Sequence, residues 1–213
     1  MASFCRLLFH FLLVKPLALV VLGLNVRGRQ GLPAHGPAII IANHNSHLDT
    51  VVLLSLFPFS LAKRIRPVAA ADSFLRNSLL GWFALSVLRI IPVDRTNRGG
   101  AVAMLAAVDA ALSNGEIILL FPEGTRGEAE RLGEFRSGVA HVVKRNAGAP
   151  IIPIFIHGAG KSLPRGEALL VPFFCDIFVG ERVQWNGDRD QFMLALQQQF
   201  QDITNKGEFP PWL

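Results

Sequence analysis

The sequence predicts a single α/β domain, a mostly parallel mixed sheet covered by helices on both faces, with an N-terminal membrane-associated helical segment. Three observations carry that reading. Short, near-continuous apolar runs alternate with helical patterns, as strands buried on both faces require. The 213 residues match one domain at roughly 100–200 residues each, and no repeat, linker or low-complexity segment divides them. Hydrophobic residues make up 51% and charged residues 17%, against ~25% charged in an average soluble domain, which excludes a disordered chain and a coiled coil.

The elements follow in order. Residues 4–24 are mostly apolar but carry Arg6, His10 and Lys15. Eight residues separate Arg6 from Lys15 and eleven separate Lys15 from Arg27. A spanning helix needs about 20 apolar residues, so an unbroken span is absent, and a short or kinked span and a soluble core helix stand as alternatives to an interfacial anchor. Pro16 and the lack of an A-x-A-like cleavage site also argue against a signal peptide. An interfacial anchor fits, with cations reaching headgroups while Phe4, Leu8, Phe11 and Leu12 enter the acyl region. The expected division is an anchoring segment at 1–25 and a domain at 26–213.

Ala38–Ala42 (AIIIA), bounded by Gly36-Pro37 and Asn43, reads as a buried strand. A helix is expected over 47–56, a strand over 66–71, a helix over 74–86 and a strand over 88–93. The Ala-rich stretch 99–113 reads as a helix closed by Asn114-Gly115. Residues 116–121 (EIILLF) form a strand that Pro122 stops. A helix over 137–146 and strands over 151–156, 169–171 and 177–183 follow. A closing helix over 190–203 places Phe192, Leu196, Phe200 and Ile203 on one face.

Charge and cysteine content narrow the partners. Twenty-one Lys and Arg against 16 Asp and Glu leave a net charge of +5, and the mean hydropathy is +0.38. A basic, apolar chain suits phosphate-bearing lipids or an anionic membrane surface. It has no Lys/Arg-rich run, so no nucleic-acid partner is expected. Cys5 and Cys175 stand in unrelated contexts and read as small apolar residues of a reducing compartment.

The chemistry lies at strand ends, where functional groups gather in α/β sheets. Asn43-His44-Asn45-Ser46-His47-Leu48-Asp49 follows a buried strand. His44 can take and return a proton near neutral pH, and a carboxylate on its other ring nitrogen would fix the tautomer. Asp49 could supply it. On a continuous helix residues five apart point about 140° away from each other, so the pair requires a turn before the helix. Phe121-Pro122-Glu123-Gly124-Thr125-Arg126 ends a second strand, offering close backbone approach, a hydroxyl and a phosphate-gripping guanidinium. Phe135-Arg136-Ser137-Gly138 opens a helix whose N-terminus favours anions, and Ile91-Pro92-Val93-Asp94-Arg95 places another arginine at a strand end.

Asn-His-x-Ser-x-x-Asp at 43–49, the strand and arginine at 91–95, Phe-Pro-Glu-Gly-Thr-Arg at 121–126 and Ile-Ile-Pro-Ile at 151–154 resemble the four ordered blocks of the glycerolipid acyltransferases, the family of 1-acylglycerol-3-phosphate acyltransferases. Val26-Arg27-Gly28 and Gly36-Pro37-Ala38 resemble the family's lead-in, and the likeness covers about residues 24–184. The resemblance implies that His44 is the general base and Asp49 its partner. It also implies that Glu123, Gly124, Thr125 and Arg126, joined by Arg95, form the glycerophosphate site, with Arg136 and Gly138 matching the segment that follows. Many members carry a Lys-Glu or Lys-Ser pair where this chain has Ala70-Ala71-Asp72-Ser73, which leaves the headgroup of the lysolipid open.

The implied reaction moves an acyl chain from acyl-CoA or acyl-carrier protein to a lysophospholipid hydroxyl. It needs no cofactor and no protein nucleophile, and Ser46 reads as a cap or orienting hydroxyl. It would run at a membrane surface, on the cytoplasmic face of the inner or plasma membrane. Two other readings compete. His44, His47 and Asp49 form a His-x-x-His-x-Asp cluster suited to a metal-dependent hydrolase, but the remaining histidines lack ligand spacing. A catalytically inactive lipid-binding protein is the other, and it would release no thiol.

Overall fold

A computed structural model describes residues 1–46, 48–74, 77–96, 98–127, 132–162 and 174–207. Helix α1 (Ala2–Phe9) leads to strands β1 (Leu24–Arg27) and β2 (Ala38–Ala42). Helices α2 (Asp49–Ser55) and α3 (Phe59–Ala62) precede β3 (Ile65–Ala70), and α4 (Ala71–Phe74) and α5 (Ser78–Ser86) precede β4 (Ile91–Val93). Then come α6 (Arg98–Ser113), β5 (Ile117–Leu120), α7 (Gly138–Arg145), β6 (Ile151–His157), α8 (Ala159–Ser162), β7 (Cys175–Val179) and α9 (Arg189–Lys206).

The strands form one sheet in the order β1-β7-β6-β2-β5-β3-β4. All neighbours run parallel except β6 and β7. The central strand β2 shows why the sheet is buried on both sides. Ala38, Ile40 and Ala42 pack with the N-terminal helix and α2, while Ile39 and Ile41 face α6, α7 and α9. Alternation of side chains across a strand produces the two layers from one apolar run. The expected stripe on α9 is fully realised, with Phe192, Leu196 and Phe200 at 0% exposure and Ile203 at 6%.

Several boundaries differ from the sequence reading, each for a local reason. The helix expected over 74–86 begins instead at Ser78, where the Asn77 side chain accepts from the N–H groups of Leu79 and Leu80. The strand expected over 88–93 is confined to Ile91–Val93, because Arg89 takes a left-handed φ of 57°. The strand expected over 177–183 begins at Cys175 and ends at Val179, with only Val183 bridging back to Ile151. The expected strand over 169–171 lies outside the described residues. Gly115 closes α6 at a φ of +68°, as anticipated.

The N-terminal segment is helical from α1 onward but widens into π-type turns at His10–Val14 and Leu17–Val21. His10, Val14, Ala18 and Leu22 recur every four residues and are buried. In an α-helix that spacing drifts by about 40° per step, and the wider turns keep the stripe facing the domain. The opposite side exposes Phe4, Leu8, Phe11 and Leu12. No helix among the described residues is long and apolar enough to cross a membrane. Strand β1, which the sequence reading did not place, follows directly and pairs with β7.

Because β2, β5 and β4 run parallel, their carboxyl ends open on one edge of the sheet. Residues 43–46 and 48–49, the segment 121–127 and the segment 94–96 meet there.

Candidate active site

The turn after β2 carries His44 back against the first residue of α2. His44 Nδ1 lies 2.8 Å from Asp49 Oδ2. The same oxygen accepts the backbone N–H groups of Asn45 at 2.7 Å and Ser46 at 2.8 Å. Asp49 is completely buried, and His44 keeps 22% of its side-chain surface. Burial raises the Asp49 pKa above the ordinary carboxylate value, against the pull of His44 and the two amides. A carboxylate on Nδ1 makes that nitrogen the donor and leaves Nε2 as the basic atom. The turn required by the five-residue spacing is therefore present, and Ser46 helps to build it. Its Oγ accepts from the Leu48 N–H and its carbonyl from the Asp49 N–H, both at 3.3 Å.

The loop after β5 holds the His44 backbone from two sides. Glu123 Oε1 accepts the His44 N–H at 3.1 Å, and the Gly127 N–H donates to the His44 carbonyl at 2.9 Å. The Phe121 ring stacks on the imidazole, with centroids 4.1 Å apart and planes at 21°. Glu123 is only 4% exposed, and burial pushes its pKa up to about 7, with the nearby Asp49 charge adding to the rise. The expected glycerophosphate ligand thus has its carboxylate turned into the protein, toward His44.

Arginines surround this loop. Arg136 Nε donates to the Glu123 carbonyl at 3.0 Å, and an Arg95 guanidinium nitrogen donates to the Gly124 carbonyl. Gly124 adopts a φ of +71°, a left-handed conformation that calls for glycine, and a Cβ there would also press on the Arg136 side chain. Thr125 is exposed and Arg126 half-buried on the same loop. Gly138 is exposed at the start of α7, with open space beside its Cα. His47 lies outside the described residues. Among the described residues no group of three or more His, Cys, Asp or Glu side chains is placed to hold a metal ion.

Three residues of the site had no role in the sequence reading. Asn43 clamps β2 to β6, accepting the Ile156 N–H at 2.7 Å and donating to its carbonyl at 2.8 Å. Phe121 stacks on His44, and its place at a strand end beside Pro122 was the available signal. Asn45 is 4% exposed with both side-chain amide atoms unpartnered among the described residues. Only its position between His44 and Ser46 marked it. An imidazole held through Nδ1 by a buried carboxylate, beside a loop ringed by arginines, can deprotonate a hydroxyl on a phosphate-bearing molecule.

Comparison with known proteins supplies the family. Residues 23–157 match the acyltransferase family model, and the chain belongs to that family. It is 33% identical over 145 residues to the chloroplastic 1-acyl-sn-glycerol-3-phosphate acyltransferase LPAT1 of Arabidopsis thaliana, covering 68% of this chain and 38% of that protein. It is 33% identical over 177 residues to the 1-acyl-sn-glycerol-3-phosphate acyltransferase of Pseudomonas aeruginosa, covering 81% of this chain and 64% of that one. This chain thus spans less than two thirds of either relative. The crystal structure of the 1-acyl-sn-glycerophosphate acyltransferase PlsC from Thermotoga maritima shares the fold, with a TM-score of 0.76 at 16% identity over 99% of this chain and 83% of that one.

Proposed function

We propose that the chain is an O-acyltransferase that moves an acyl group from acyl-CoA or acyl-carrier protein to the free hydroxyl of a lysophospholipid. The preferred acceptor is 1-acylglycerol-3-phosphate and the product phosphatidic acid, as the names of the relatives suggest. The observation that carries the reading is the 2.8 Å contact between His44 and Asp49 beside the arginine-ringed loop.

In this mechanism His44 Nε2 takes the hydroxyl proton as that oxygen attacks the thioester carbonyl. Asp49 stabilises the imidazolium, the C–S bond breaks, and the proton passes to the leaving thiolate. Glu123 holds the His44 backbone so that the imidazole cannot swing from the loop. Arg126, with Arg95 and Arg136, neutralises the acceptor's phosphate, assisted by the Thr125 hydroxyl and the start of α7 at Gly138. Water-excluding placement of the two substrates supplies the remaining acceleration. No cofactor enters the scheme.

Both substrates carry long acyl chains, and the reaction belongs at a membrane surface, on the cytoplasmic face. The exposed Phe4, Leu8, Phe11 and Leu12 support contact with a membrane surface. The test is purified protein offered a panel of lysolipids with acyl-CoA or acyl-carrier protein, following free thiol and acylated product. Thiol release dependent on 1-acylglycerol-3-phosphate supports the reading, and no thiol release with any acceptor overturns it.

A further inference from the structure

At the end of the sheet opposite His44, where β3 and β4 begin, the N-terminal helix leaves a small recess against the domain. Arg6 and His10 line it from that helix, Lys63 from the end of α3 and Arg89 from the approach to β4, with Phe9 and Phe59 as apolar walls. His10 is 3% exposed and its Nε2 has no hydrogen-bond partner; Arg6 Nε is likewise buried and unpartnered. Burial, and then Lys15, holds His10 below the ordinary histidine pKa. Arg89 is engaged by Glu116 at 2.5 Å, and the same carboxylate accepts from Arg66 at 3.0 Å. Among the described residues no carboxylate pairs with Arg6 or Lys63.

Buried polar nitrogens without partners are costly. Here the Arg6 Nε–H donor and, in its Nε2–H tautomer, the His10 ring share a recess with cations that no carboxylate neutralises among the described residues. An occupant that relieves both must bring negative charge and several acceptor oxygens, which is phosphate chemistry. The surroundings specify the rest of the molecule. Phe9 meets Phe83 of α5 edge-on at 5.2 Å, joining two helices that expose Phe4, Leu8, Trp82 and Leu85. An anionic head in the recess would have its tails at this apolar surface. We propose that the recess binds the phosphate headgroup of an anionic bilayer phospholipid and so fixes how the domain sits on the membrane. The proposal rests on the membrane-surface reading above. The recess is separate from the acceptor site, at the other end of the strands.

The test uses the full chain and two kinds of vesicle: phosphatidylcholine alone, and three parts phosphatidylcholine to one part phosphatidylglycerol. His10→Phe keeps an aromatic ring and the net charge, and is expected to lower association with phosphatidylglycerol vesicles about tenfold while leaving phosphatidylcholine binding unchanged. Arg6→Gln should lose more than Lys144→Gln, which removes the same charge from α7. Parent-like binding by His10→Phe, with equal losses for the two charge variants, would mean diffuse attraction and overturn the recess. Failure of the parent to bind either vesicle overturns the membrane reading instead. In the unaltered chain, the His10 ring nitrogens should shift with monomeric dihexanoylphosphatidylglycerol and not with inorganic phosphate at equal concentration. An equal shift with phosphate overturns the lipid assignment, and no shift with either overturns the site.

Discussion

The Glu123 carboxylate accepts the backbone N–H of His44 at 3.1 Å, so this histidine sits on a loop fastened by an acid from a different strand end. Burial and the neighbouring Asp49 raise the Glu123 pKa from an ordinary 4.5 to about 7. A carboxyl that titrates higher in the folded than in the unfolded chain binds its proton more tightly when folded. Its contribution to stability is present below pH 4.5 and is lost as the pH rises through about 7. Glu123→Gln keeps an acceptor for the His44 N–H and removes the titration. Urea unfolding from pH 5 to 8 should show the parent losing roughly 2–3 kcal/mol relative to the variant. Parallel pH profiles for the two proteins would refute this account.

The His44–Asp49 pair gives the sharpest catalytic test. His44→Ala should lower turnover by at least ~10²-fold, the loss expected for a general base, with the fold intact. Asp49→Asn should also be severely impaired, since the amide cannot compensate the imidazolium charge and can hold the wrong tautomer. Steady-state thiol release with circular dichroism of each variant decides it. A folded His44→Ala protein with near-normal turnover ends the mechanism.

What the sequence disclosed and what it hid have different physical origins. Strands β2, β5 and β6 and the buried face of α9 were legible because their burial is written in consecutive or periodic apolar residues. Strand β1 was not, since its residues alternate in exposure and its partner lies far along the chain, with Leu24 opposite Cys175. The break before α5 hung on one side chain, Asn77, inside an otherwise helical pattern. At the site, His44 and Asp49 were readable from residue type and the turn their spacing demands. The hydrogen bond from the His44 N–H to Glu123 is not legible in the motif, because a motif cannot show which way a carboxylate turns. The stacking of Phe121 on His44 joins two strand ends that only the sheet order brings together.

Phosphate recognition should fall mainly on Arg126, with Arg95 and Arg136 holding the loop through the Gly124 and Glu123 carbonyls. Loss of a charge-assisted contact to a sequestered phosphate costs on the order of 2–5 kcal/mol. Arg126→Ala should therefore raise the KM for the lysolipid far more than that for the acyl donor. Arg126→Lys should rescue only in part, because the bidentate geometry is gone. Initial rates with each substrate varied in turn give the answer, and the reverse pattern would move Arg126 to the thioester side.

The N-terminal helix calls for surface substitution rather than truncation. Val14, Ala18 and Leu22 are buried in the domain, and removing residues 1–22 would strip them from the core along with the exposed face. Phe4, Leu8, Phe11 and Leu12 are 62%, 40%, 53% and 72% exposed and can be altered without opening that core. If they enter the acyl region, each contributes up to about 1.5–3 kcal/mol of burial, so replacing all four by Ser should lower vesicle partition by well over ~10²-fold. Thermal stability should fall only modestly, through loss of the Phe11 ring contacts with His10 and Phe59, because Val14, Ala18 and Leu22 stay covered. Activity on lysolipid presented in bilayers should fall much further than activity on short-chain, water-soluble analogues. Flotation with vesicles and paired assays on the two substrate forms measure both effects. Unchanged partition in the quadruple variant would transfer the membrane contact to Leu79, Leu80, Trp82 and Leu85, the other exposed apolar face.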